Sequence, residues 1–242
     1  MSLQVLDSFY EGKAKTLFNT SDPSLIVQYF KDDATAFNRQ KFGQIVGKGV
    51  VNLAITKALY HLLEAKGVPT HFVDTLDERR MVSKRVEIVP LEVVVRNRVA
   101  GTFAKRYAVP EGTVLPAPIV EFFLKKDELG DPLITAEAAI AIGLATQHET
   151  DELDRLARKV NEILRAFFLA LNVELIDFKL EFGKLPDGTL LLADEISPDC
   201  CRFWEVGTGK KLDKDRFRQD LGGIEDAYAD MLQRVQSATQ TR

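Results

Sequence analysis

Cysteine, histidine, methionine and tryptophan are scarce in this 242-residue chain, at two, three, three and one. The two cysteines, Cys200 and Cys201, are adjacent. Disulfide geometry is hard to meet across one peptide bond, so no disulfide framework is expected, and a reducing compartment, the cytosol, is. The histidines are His61, His71 and His148. None has zinc-ligand spacing or a signature pairing it with Cys201 as a nucleophile, so they read as structural or solvated. Long apolar runs are missing too. Residues 138–145 form the longest mostly apolar stretch, far below the roughly 20 residues of a membrane span. Residues 1–9 carry Asp7 and no apolar run, which excludes a signal peptide there. There is no basic excess: 32 Lys and Arg stand against 36 Asp and Glu, a net charge of −4. That balance argues against a dedicated nucleic-acid binder, not against small anionic substrates. No Walker A motif, Gly-x-Gly-x-x-Gly motif, internal repeat or low-complexity tract is present.

What is present is an ordinary globular composition, 45% apolar and 28% charged, in a length that fits one large domain or two small ones. Up to about Pro90 the pattern is strands around one helix. Residues 9–18 alternate loosely around Gly12, and residues 25–30 form a second β-prone run. Val50, Leu53, Ala54, Ala58, Leu62 and Leu63 share one face of a helix over residues 49–66, stopped by Gly67. Residues 81–86 and 91–95 are strand-like, with Pro90 between them. Thr150 is the expected N-cap of the longest helix, whose stripe is Leu153, Leu156, Val160, Ile163, Leu164, Phe167 and Leu171. Strands over residues 173–182 and 189–196 flank Pro186-Asp187-Gly188, a hairpin signal. One last helix carries Phe217, Leu221, Ile224, Tyr228 and Met231. Strands without regular strand–helix alternation give an α+β class.

The second hairpin carries the most chemistry. Asp177, Lys179 and Glu181 alternate with Ile176, Phe178, Leu180 and Phe182, so the three charges share one face. A turn centred on Asp187-Gly188 sets Glu181 opposite Asp194 and Lys179 opposite Ile196. Facing carboxylates need compensation. A Mg²⁺ ion held by two carboxylates and substrate phosphates supplies it; the solvated outer face of an amphipathic hairpin fits the same pattern. Gly12-Lys13-Ala14-Lys15 sets two lysines on one strand face beside a glycine. They read as phosphate partners or as protection of an edge strand. Val93-Val94-Val95-Arg96-Asn97-Arg98 runs into Ala100-Gly101-Thr102, with Thr102 as the expected cap of a short helix over residues 103–107. Phosphate binding by Arg96 and an ordinary surface turn both fit. Arg202 follows Ser197-Pro198-Asp199 near the metal end of the hairpin.

Together these motifs resemble the SAICAR synthetase family, the phosphoribosylaminoimidazole-succinocarboxamide synthases. The resemblance rests on Tyr10-Glu11-Gly12-Lys13-Ala14-Lys15, Val94-Val95-Arg96-Asn97-Arg98, Ala100-Gly101-Thr102, Phe123-Leu124-Lys125 with Asp131-Pro132, and Asp177-Phe178-Lys179-Leu180-Glu181-Phe182-Gly183. It continues through Asp194-Glu195-Ile196-Ser197-Pro198-Asp199 and Asp213-Lys214-Asp215-Arg216-Phe217-Arg218, in the family's order from residue 10 to residue 223. It implies a two-lobed, ATP-grasp-like α+β fold: a kinase-like antiparallel β lobe over residues 1–86 that binds ATP, and an α+β lobe over residues 87–242 with the metal and nucleotide-substrate sites. The implied reaction joins L-aspartate to the carboxylate of carboxyaminoimidazole ribonucleotide (CAIR), with ATP going to ADP and phosphate, in a cytoplasmic enzyme and a possible homodimer. Gly12, Lys13, Lys15 and Lys125 would then lie at the ATP phosphates, and the backbone of Lys84 and Val86 would read adenine. Glu181 and Asp194 would hold Mg²⁺. Arg96, Thr102 and Arg202 would hold the 5′-phosphate of the ribotide. Asp177, Lys179 and Asp199 would line its imidazole and carboxylate end, with Lys214 and Arg218 as further candidates. Lys13, Lys125, Lys179 and Asp177 are the implied catalytic residues. Two departures stand out: Asn38 where relatives often carry Asp, and Cys200-Cys201 where they carry glycine or a hydroxyl residue. Residues 35–43 are the expected mobile loop. A small-molecule kinase and a non-enzymatic nucleotide-binding module are the competing readings.

Overall fold

The structure, a computed structural model, describes residues 3–36 and 41–239. Asn38 lies outside the described residues, as does the middle of the expected mobile loop; the described ends of that loop are two short paired strands, β4 (Asp33–Ala36) and β5 (Lys41–Gln44).

Two larger antiparallel sheets carry the fold. The first has the order β1-β2-β3-β7-β6, from β1 (Val5–Glu11), β2 (Lys15–Thr20), β3 (Leu25–Phe30), β6 (Phe72–Thr75) and β7 (Arg80–Lys84). Only two residues, Arg85 and Val86, separate it from the second. Its order is β10-β9-β8-β11-β12, with β13 also paired to β11, from β8 (Glu87–Arg98), β9 (Val114–Leu124), β10 (Leu133–Ile134), β11 (Val173–Lys184), β12 (Leu190–Ala193) and β13 (Cys201–Glu205). Between β5 and β6 runs α1 (Lys48–Ala65), which buries Leu53, Ile55, Leu59, Tyr60 and Leu63. The second sheet is accompanied by α2 (Gly101–Tyr107), α3 (Ala136–Ala141) and α4 (Gln147–Ala170). The chain ends in α5 (Asp215–Arg218) and α6 (Ile224–Thr239), and α6 returns to pack on α1. No helix among the described residues is long and apolar enough to cross a membrane.

Local physics moves several expected boundaries. Residues 9–18 are not one strand. The Gly12 N–H donates to the Lys15 carbonyl and closes a turn through Lys13 and Ala14, so the two lysines do not share a strand face: Lys13 sits in the turn, Lys15 opens β2. Pro90 lies inside β8, not between strands, at a point where the pairing with β11 shifts register. Proline has no N–H for the ladder and is tolerated at such a break. The longest helix starts four residues early. Its cap is Thr146, whose side chain accepts from the Glu149 N–H while Glu149 returns to the Thr146 N–H, a capping box readable in the sequence. Thr150 sits in the first turn, its hydroxyl bonded to the Gln147 carbonyl. Thr102 is the second residue of α2, whose cap, Ala100, makes no side-chain cap bond. The last helix is split before α6 because Gly222 and Gly223 both take positive φ, which helical residues do not.

Gly183 fixes how the sheets meet. A Cβ on this residue of β11 would lie 2.3 Å from the Val86 side chain, so the chain crossing between the sheets rests directly on β11. Val86 also lines the cleft described below. We expect Gly183→Ala to lower stability by about 1–3 kcal/mol, the usual cost of overpacking, and to slow turnover by displacing Val86 from the cleft wall. Urea denaturation and steady-state kinetics check this; an unchanged midpoint would show that the contact is slack.

Candidate active site

A cleft of about 620 Å³ runs between the sheets. One wall is apolar, with Leu17, Ile26, Val86 and Ile88. Of the two residues whose backbone is expected to read adenine, Val86 lines the cleft, and the Lys84 N–H is taken up by the His71 carbonyl at 2.7 Å because β7 is still hydrogen-bonded there. Gly12, Lys13, Ala14 and Lys15 form the roof. Across the mouth Lys13 pairs with Asp127 at 2.9 Å.

The far end of the cleft is charged. The hairpin register differs by one residue from expectation: Glu181 opposes Ala193, not Asp194. The loop is three residues long, with Gly188 at φ 88°, the three-residue hairpin geometry that places a glycine in the left-handed region. A regular strand would then send Asp194 to the opposite face. Asp194 instead takes φ 62° as the strand ends, and its carboxylate meets Glu181 through a shared partner. The Lys179 ammonium is 2.5 Å from Glu181 and 3.2 Å from Asp194, with Glu92 at 3.5 Å. Lys15 bonds to Asp194 and lies 3.1 Å from Glu195; Lys125 bonds to Glu181 at 2.8 Å. Burial opposes every one of these charges, but the partners outweigh it. Glu181 and Asp194 are held below the usual carboxylate range, and Lys15, Lys125 and Lys179 above the usual amine range. Among the described residues no three His, Cys, Asp or Glu side chains gather for a metal. Two hard carboxylates opening on a cleft fit Mg²⁺, which keeps most of its shell for water and phosphate oxygens.

Further along, Asp199 accepts from Lys48 at 2.9 Å, Lys214 at 3.3 Å and the Tyr228 hydroxyl at 2.6 Å. Asp199 and Lys214 line the cleft, with Cys200 beside them. Asp177 does not open on it. This residue sits opposite Arg96 on one side and Arg202 on the other, because β11 lies between β8 and β13. Its carboxylate accepts from both arginines at 2.9–3.0 Å. Asp177 therefore aims arginines, and the expected contact with an imidazole has no opening in this geometry. Arg96 is further tied to Glu121 at 2.5 Å and its side chain is only 4% exposed, whereas Arg202 is 17% exposed. Arg202 also pairs with Asp215, which holds Arg218. A Cβ on Gly101, at φ 56°, would strike the Arg202 guanidinium at 2.4 Å. Thr102, next in the chain, is exposed. The arginine group thus lies at the start of α2, away from the lysine group.

Sequence reasoning missed Lys48, Glu195, Tyr228 and His71. Glu195 follows Asp194 in the same motif, a signal that was available. Lys48 and Tyr228 reach Asp199 from two distant helices, which no spacing reveals. His71 is 2% exposed and lines the cleft. Burial, helped by the Lys15 ammonium, pushes its imidazole down to about 4, so the ring is neutral.

Comparison with known proteins places this geometry. The family described as SAICAR synthetase matches residues 8–235. The phosphoribosylaminoimidazole-succinocarboxamide synthase of Clostridium botulinum (strain Alaska E43 / Type E3) is 54% identical over 233 residues, 96% of this chain and 99% of that protein. The crystal structure of the corresponding synthase from Ehrlichia chaffeensis superposes with a TM-score of 0.93 at 42% identity, over 95% of this chain and 98% of that one. A SAICAR synthetase in complex with ADP superposes at 0.91 with 44% identity, over 95% and 97% of the two chains. The two sheets, the cleft between them and the full-length match agree: this chain belongs to the SAICAR synthetase family.

Proposed function

We propose that the chain joins L-aspartate to the carboxylate of CAIR while ATP goes to ADP and phosphate, and that it does so through an acyl phosphate. An ATP-dependent carbon–nitrogen ligase follows from membership of the family. The assignment of roles to residues rests on one observation, the convergence of Lys15, Lys125 and Lys179 with Glu181 and Asp194 at one end of the cleft.

A carboxylate is a poor acyl donor at neutral pH. Moving the γ-phosphoryl group of ATP onto the CAIR carboxylate gives an acyl phosphate, which the aspartate amine attacks to form the amide and release phosphate. The protein's work is positioning and charge stabilisation. Val86 and the apolar wall enclose the base. Lys15 and Lys125, with Lys13 and Gly12 on the roof, meet the phosphates. Glu181 and Asp194 would hold Mg²⁺, which, when bound, neutralises phosphate charge. Lys179, fixed among three carboxylates, stays charged where negative charge moves from ATP to the acyl group. Asp199 and Lys214 face the imidazole end. Arg202, with Thr102 nearby, takes the ribotide 5′-phosphate, and Arg96 and Asp177 position Arg202 from below.

Glu181→Ala and Asp194→Ala are each expected to lower kcat by about 10²–10³, the usual scale for removing a group that stabilises transition-state charge, with circular dichroism unchanged. Near-normal turnover at saturating Mg²⁺ would defeat the metal assignment. Arg202→Ala is expected to weaken CAIR binding at least tenfold by calorimetry and to leave ATP affinity unchanged. Arg96→Ala should do the same and also cost about 1–3 kcal/mol of stability, because buried Asp177 and Glu121 each lose one of two arginine partners and keep only Arg202 and Arg106. Unchanged CAIR affinity in both variants would remove the phosphate site from this place. The reaction is tested by ADP release with ATP, CAIR, aspartate and Mg²⁺, omitting each in turn. ADP is expected only with all four, and ADP formed without aspartate would mark a kinase.

A further inference from the structure

Lys48 and Tyr228 lie deep in the protein, and their polar atoms serve one carboxylate. Each is 1% exposed. Neither lines the cleft, whereas their common partner Asp199 does. Lys48 opens α1 and Tyr228 sits in α6. The Tyr228 hydroxyl donates to Asp199 Oδ1 at 2.6 Å, and the Lys48 ammonium donates to Oδ2 at 2.9 Å. The Tyr228 ring packs in a small apolar cluster with Ala34, Ile45 and Ile224, which fixes where its hydroxyl points. Among the described residues Asp199 is the one ion-pair partner of Lys48. Taking an ammonium out of water is costly unless it is paired, so Lys48 resists any rotation of the carboxylate away from it.

The turn beneath Asp199 fixes only its backbone. The Asp199 N–H donates to Ser197 Oγ at 3.1 Å, and the Cys200 N–H donates to the Ser197 carbonyl at 3.1 Å. Neither bond constrains the side chain. On the cleft side the third donor is Lys214, 3.3 Å from Oδ2, and its own N–H donates to the Pro198 carbonyl at 3.1 Å. Two ammonium groups thus share one carboxylate oxygen. The buried one holds it at the shorter distance, while the Lys214 side chain is 12% exposed and keeps donors for the cleft. We propose that Lys48 and Tyr228 are positioning residues that lock the Asp199 carboxylate from behind, so that Asp199 and Lys214 present an acceptor and a donor of fixed geometry to the ribotide. The inference rests on the placement of the ribotide at this end of the cleft, and it adds two residues that do not touch the substrate.

The test is steady-state kinetics with Tyr228→Phe, Lys48→Met, Asp199→Asn and the double variant of Tyr228→Phe with Asp199→Asn. Tyr228→Phe keeps the ring in its cluster and removes only the hydroxyl. Tyr228→Phe and Lys48→Met are each expected to raise the KM for CAIR about tenfold, the scale of one hydrogen bond to a charged group, and to leave the KM for ATP unchanged. On top of Asp199→Asn, Tyr228→Phe should change the KM for CAIR by less than about twofold, because effects that pass through one group are not additive. An unchanged KM for CAIR in Tyr228→Phe overturns the proposal. Equal rises in both KM values do so as well, since they mark a general loosening of α1 against α6. So does a Tyr228→Phe effect that multiplies in full on Asp199→Asn, or an Asp199→Asn variant with the wild-type KM for CAIR. Should Lys48→Met fail to fold, the cycle of Tyr228→Phe and Asp199→Asn decides alone. Failure of the ligase assignment is distinguishable, because the wild type would then form no ADP from ATP in the presence of CAIR and aspartate.

Discussion

Two carboxylates brought together in an enclosed cleft repel each other and resist leaving water, and the site exists because ammonium groups lie between them. Lys179 sits against both Glu181 and Asp194, Lys15 holds Asp194 and Glu195, and Lys125 holds Glu181. Each cation lowers the cost of ionising its neighbours, and each carboxylate keeps its lysine charged. The result is a surface that carries both signs at short range. A polyphosphate finds cations there, and a hard divalent ion finds oxygens. Neither set alone serves a Mg²⁺-nucleotide.

The strand β11 is where this constraint meets the fold. Its alternate residues Asp177, Lys179 and Glu181 lie on one face, and its neighbours differ along its length. At Asp177 it lies between Arg96 and Arg202, so that carboxylate orients arginines. Two and four residues later the strand reaches the cleft, and Lys179 and Glu181 face Asp194 there. One strand therefore joins the arginine group and the lysine–carboxylate group, at a spacing set by the rise of the backbone. The left-handed turn at Asp194 completes the arrangement, bringing in a side chain that a regular strand would send to the other face.

Much of this was legible. The charged face of β11 follows from strict alternation, and the ordered motifs carry the family and with it the two sheets and the cleft. The hairpin register was read one residue out because Pro186-Asp187-Gly188 closes a three-residue loop, and a tally of turn residues does not separate two from three. Glu181 and Asp194 still meet, for a reason held in one backbone dihedral that the sequence does not display. Lys13 and Lys15 were set on one strand face because a tight turn looks like loose alternation when a single glycine marks it. Burial was the hardest property to see. Arg96 and Asp177 look like open ligands in a motif and are enclosed and ion-paired, while His71 looks incidental and lies at the cleft wall. These distinctions depend on which elements cover a residue, and that is decided by packing between segments far apart in the chain.

The central claim is that Glu181 and Asp194 jointly hold the divalent ion of the nucleotide. The most direct measurement is a crystal structure with ADP and Mn²⁺ in place of Mg²⁺, using the anomalous signal of manganese to locate the ion. The account predicts a peak within coordination distance of a carboxylate oxygen from each residue and of a phosphate oxygen, with Lys179 moved off the line between them. A manganese peak bound to phosphate alone, or one that leaves Glu181 and Asp194 still joined through Lys179, would contradict it.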